Sequence, residues 1–85
     1  NMRELIVMGS RLDVLTQRSF ANCRNLTHLF LHDNTILDVP DNVFMNNPDL
    51  EYLELGSNRI ERLNPNSFTG TSINFLDLSN NRIER

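Results

Sequence analysis

Apolar residues return along this chain at fixed intervals. From Leu50 to Ile60 they take the first, fourth, sixth and eleventh places (Leu50, Leu53, Leu55, Ile60), with Asn58 at the ninth. The same frame stands 24 residues earlier as Leu26, Leu29, Leu31, Asn34 and Ile36, and 23 residues later as Ile73, Leu76, Leu78, Asn81 and Ile83. A degraded copy opens the chain with Met2, Leu5, Val7 and Leu12, and has Ser10 where the asparagine should be. Copies in one register over nearly the whole length make this a repeat protein.

Each repeat divides into two halves. Around Leu29 and Leu31, apolar positions alternate with His28, Phe30 and His32, the period of a strand buried on one face. Equivalent strands are predicted over 4–7, 28–31, 52–55 and 75–78. A repeat that brings the chain back to the same place makes successive strands parallel neighbours. The return half also recurs: Leu15, Val39 and Leu63, each followed five residues later by Phe20, Phe44 and Phe68. Proline and asparagine between them oppose long helices and favour turns, extended chain or a helical turn. The three phenylalanines are expected to stack as a spine. The interval from Phe68 to Ile73 is one residue shorter than in the earlier repeats, and Gly70 is placed to tighten that turn.

The frame resembles the leucine-rich repeat family, whose pattern runs L-x-x-L-x-L-x-x-N-x-L. The L-x-x-x-x-F return half resembles its typical subclass, abundant in animal extracellular proteins. The resemblance implies an α/β fold: a right-handed solenoid with a curved parallel sheet on the concave face and turns or short helical turns on the convex one. Residues 1–85 are expected to form one array of about three and a half repeats. Secreted members carry cysteine-rich caps at their ends, and none is present here. Two readings stay open, a fragment of a longer array lacking both caps and an intracellular protein. The intact internal repeat from Asn80 to Arg85 favours the fragment.

The net charge of −3, with no long run of either sign, does not indicate a nucleic-acid surface. No apolar run approaches the roughly 18 residues of a membrane span, so this segment is not expected to insert directly. Cys23, the only cysteine, has no intrachain partner, and the count does not report the redox compartment. It is read as a small half-buried apolar residue.

Asn34, Asn58 and Asn81 stand where each strand bends away. Their amides both donate and accept, so a stack of them can satisfy backbone groups from repeat to repeat. Ser10 should be a poorer rung. His28 and His32 would lie about 13 Å apart with Phe30 between them, which argues against a metal site. Asn25-Leu26-Thr27 is the one glycosylation triplet, beside a strand. The tetrapeptides Arg59-Ile60-Glu61-Arg62 and Arg82-Ile83-Glu84-Arg85 read as a solvated flank with weak ion pairs.

The outward face of the sheet is different. Reading across repeats, one column is Glu4, His28, Tyr52 and Phe75; the next is Ile6, Phe30, Glu54 and Asp77; a third is Met8, His32, Gly56 and Ser79. Contiguous exposed apolar and aromatic residues on an open sheet point to a partner.

No nucleophile–base pair, phosphate-cradling loop or carboxylate dyad is evident, so neither enzyme activity nor a cofactor is expected. The family resemblance implies a protein-binding module of an extracellular or cell-surface protein, such as a receptor ectodomain, a matrix protein or a secreted factor of innate immunity. It also implies a protein ligand on the concave face. Expected contact residues are Ile6, His28, Phe30, Tyr52, Glu54, Phe75 and Asp77, with the rings as anchors and the acids setting orientation. The alternatives are a structural spacer within a longer horseshoe, and a dimer formed through the uncapped ends.

Overall fold

A computed structural model describes residues 2–83. Four three-residue strands, β1 (Glu4–Ile6), β2 (His28–Phe30), β4 (Tyr52–Glu54) and β6 (Phe75–Asp77), form one parallel sheet in the order β1-β2-β4-β6. Each lies within its expected span and ends one residue short. The register runs Glu4, His28, Tyr52, Phe75 across the sheet, then Leu5, Leu29, Leu53, Leu76, then Ile6, Phe30, Glu54, Asp77. One strand per repeat with this register is the leucine-rich repeat solenoid.

The middle row of each strand points inward. Leu26, Leu29, Leu31, Leu50, Leu53, Leu55, Ile36 and Ile60 are all fully buried. Each burial of this kind stabilises by about 1.5–3 kcal/mol relative to exposure. Behind the leucines the phenylalanines stack: Phe20 on Phe44 at 5.8 Å and 19°, Phe44 on Phe68 at 6.2 Å and 8°. Cys23 is half-buried and packs against this core, as expected of a small apolar residue.

No helix is found among the described residues, so turns take the convex half of the α/β description. Bonds three residues apart carry the chain there, from the N–H groups of Ser19, Met45 and Ser67 to the carbonyls of Thr16, Asn42 and Asn64. A second small sheet, β3 (Asp38–Val39) paired parallel with β5 (Arg62–Leu63), is extended chain whose pairing the pattern did not predict. Gly70 adopts φ +87°, the left-handed backbone that the shortened turn requires.

The asparagines line up as expected. Asn34, Asn58 and Asn81 each donate back to the carbonyl ending the preceding repeat's strand region (Val7, Leu31 and Leu55) and to one in their own (Leu31, Leu55 and Leu78). Their side-chain oxygens accept N–H groups of the preceding repeat, from Leu12, Ile36 and Ile60. Ser10 is the weaker rung, its hydroxyl donating to Met8 at 3.3 Å. The residue before each rung is left-handed: Gly9, Asp33, Ser57 and Asn80 have φ between 54° and 64°. That sharp bend is what strands the backbone groups the ladder then satisfies.

Candidate partner-binding face

Side chains on a strand alternate, so burying the middle row forces its neighbours outward. All seven expected contact residues occupy the two columns beside the buried row. Ile6 is 56% exposed and Phe75 43%, while His28, Phe30, Tyr52, Glu54 and Asp77 are half-buried by one another. The imidazole of His28 stacks on Tyr52 at 5.5 Å and 20°, and Tyr52 stacks on Phe75 at 4.3 Å and 8°. Phe30 leans from the next column onto Tyr52 at 5.2 Å, and His32 meets Phe30 edge-on at 6.5 Å. The result is a continuous run of rings over β2, β4 and β6.

Glu54 and Asp77 lie side by side in the second column, next to Tyr52 and Phe75 in the first. The hydroxyl and backbone N–H of Ser79 hold the Asp77 carboxyl below the usual carboxylate range. The N–H bond is 2.8 Å long. At Gly56, in the third column, a side-chain carbon would stand 3.3 Å from the Ser79 hydroxyl and 3.6 Å from an Asp77 oxygen, so the two strands approach closely there. The histidines serve these ring contacts, and His28 Nδ1 also lies 2.9 Å from the Thr27 hydroxyl.

The flank expectation falls partly outside the described residues. Glu61, Arg62 and Arg82 line an open hollow with Leu37 and Asp38, and no ion pair forms there among the described residues. Glu84 and Arg85, the counterparts of Glu61 and Arg62, lie outside the described residues.

One polar position escaped sequence reasoning. Asn47 fills a slot occupied by Cys23 in the preceding repeat, yet it is fully buried. Its amide donates to the carbonyls of Phe20 and Cys23 at 3.1 and 2.8 Å, a single extra rung on the convex side. The equivalent positions are Cys23, Asn47 and Thr71, so no recurrence marked this asparagine in the sequence.

The leucine rich repeat family model matches residues 1–45 and 24–83, and the chain belongs to that family. It is 32% identical to mouse (Mus musculus) epiphycan over 78 residues, covering 89% of this chain and 23% of that protein. Identity to bovine (Bos taurus) fibromodulin is 36% over 62 residues, 71% of this chain and 16% of the relative. Zebrafish (Danio rerio) keratocan matches at 29% over 85 residues, 99% of this chain and 22% of its own length. The chain thus spans under a quarter of each of these three relatives. All three are secreted proteins of the extracellular matrix, and the extracellular setting expected from the repeat subclass is theirs.

Proposed function

We propose that residues 1–85 are a single protein-binding array within an extracellular matrix-type protein, presenting the outward face of the four-stranded sheet to a protein ligand. The observation that carries this reading is the unbroken run of rings, Phe30 through Tyr52 to Phe75, on a sheet face that no other element among the described residues covers. Stacked rings are rigid, so little conformational freedom remains to be lost when a partner seats on them. Ile6 extends the apolar area toward β1, His28 continues the ring stack, and Glu54 and Asp77 set orientation. The matrix relatives support this setting over a receptor or innate-immune one. The reading is of binding; no side chain is given a catalytic role.

The test uses the natural ligand of the protein that contains this array. Phe30→Ala with Tyr52→Ala should weaken binding by about 2 kcal/mol or more, as removal of buried aromatic anchors does. The circular-dichroism spectrum and melting curve should stay near wild type, because these rings lie outside the leucine core. Unchanged affinity in a folded double variant makes this stretch a spacer within a longer horseshoe.

A further inference from the structure

The outward columns have a charge pattern that selects among protein partners. None of the chain's eight cationic residues, all arginines, falls in the three columns, while Glu4, Glu54 and Asp77 do. Among the described residues no arginine pairs with any of the three carboxylates. Two of them form a compact group with the rings: Tyr52 and Phe75 adjacent on β4 and β6, and Glu54 and Asp77 adjacent on the same two strands, two residues further along. Same-face neighbours along a strand are about 6.6 Å apart and strands about 4.8 Å, so ring surface and carboxylates are within reach of one long side chain.

We propose that the occupant of this face is a basic polypeptide segment, whose arginine lays its stem and guanidinium plane against Tyr52 and Phe75 and directs its donors to Glu54 and Asp77. The inference rests on the protein-binding reading above and adds the chemistry of the ligand. A guanidinium stacks on aromatic surface and matches a carboxylate with two parallel donors, whereas an ammonium is a compact, strongly hydrated charge. The methylene stem covers ring surface that would otherwise face water. An acidic segment would set unpaired charge against Glu54 and Asp77, and a neutral one would leave both carboxylates desolvated without compensation. Asp77 has one oxygen held by the Ser79 N–H, which orients its carboxylate on this face.

The test titrates three synthetic ten-residue peptides into the isotopically labelled 85-residue chain, followed by backbone amide shifts. One peptide alternates arginine with serine, one replaces arginine by lysine, and one replaces it by glutamate. The arginine peptide should bind most tightly, with shifts concentrated at residues 28–32, 52–56 and 75–79. Its affinity should fall with added salt. Glu54→Gln with Asp77→Asn, which keeps side-chain shape, should weaken it roughly tenfold, the effect of losing two exposed charge contacts. The glutamate peptide should not bind. Equal binding of arginine and glutamate peptides, shifts on the convex turns instead, undiminished affinity in the double variant, or no arginine binding at millimolar peptide each overturn the inference. Those results leave the protein-binding reading standing, because it fails separately, when the natural ligand still binds the folded Phe30→Ala, Tyr52→Ala protein.

Discussion

The side-chain amide of Asn58 donates to the carbonyl of Leu31, one full repeat earlier, at 3.0 Å. The same nitrogen donates to Leu55 in its own repeat at 3.0 Å, and the side-chain oxygen accepts the Ile36 N–H at 3.2 Å. One buried side chain therefore joins two coils at the point where both strands bend away from the sheet.

Replacing Asn58 by leucine keeps the volume but removes every one of those bonds. The Ile36 N–H would be left buried and unsatisfied, at a penalty of about 1–3 kcal/mol, while the Leu31 and Leu55 carbonyls each keep one amide donor, from Asn34 and Asn81. The net loss should be about 2 kcal/mol, read as a lower urea midpoint at unchanged slope. Asn81→Leu should lose less, because that rung is only half-buried. Equal losses at the two positions would contradict the ladder as the source of the effect.

Phe44 is the middle of the phenylalanine spine, fully buried and stacked on both neighbours. Phe44→Ala should cost about 3–5 kcal/mol, the range for emptying a buried aromatic site. Phe68 stacks on one ring and is half-buried, so Phe68→Ala should cost clearly less. Denaturant unfolding of the two variants side by side checks the ranking.

Asp77 provides a pH test. Its carboxyl is held below the ordinary range by the Ser79 hydroxyl first and the Ser79 N–H second. A folded-state value below the unfolded one means the carboxylate supports the fold above the unfolded value. That support is lost as pH falls through the lower, folded value. The window therefore opens below about pH 4, the ordinary aspartate range. In a carbon-detected titration Asp77 should protonate below the ordinary aspartate range. Ser79→Ala should move its midpoint upward while the N–H bond remains. A midpoint unmoved by that substitution would remove the hydroxyl from the account.

Much of this arrangement is legible in the residues because repeats turn one-dimensional spacing into three-dimensional columns. Leu29, Leu53 and Leu76 occupy the same place in the frame, and equal places become register partners once strands are parallel and one repeat apart. The outward columns follow from the same arithmetic. Asn47 was not legible: a polar residue in an apolar slot reads as surface until the convex turns bring the Phe20 and Cys23 carbonyls to its amide.

By itself the sequence determined the period, the inward rows of leucine and phenylalanine, the asparagine rungs and the membership of each outward column. These depend only on alternation along a strand and on repeat length, both of which are local. Tertiary structure decided which outward side chains meet: His28 and Phe75 on either side of Tyr52, Phe30 leaning across from the next column, and Glu54 brought beside Asp77. It also decided the β3–β5 pairing. Those outcomes turn on strand separation, ring tilt and the covering of one coil by the next, and such distances exist only once the coils are stacked.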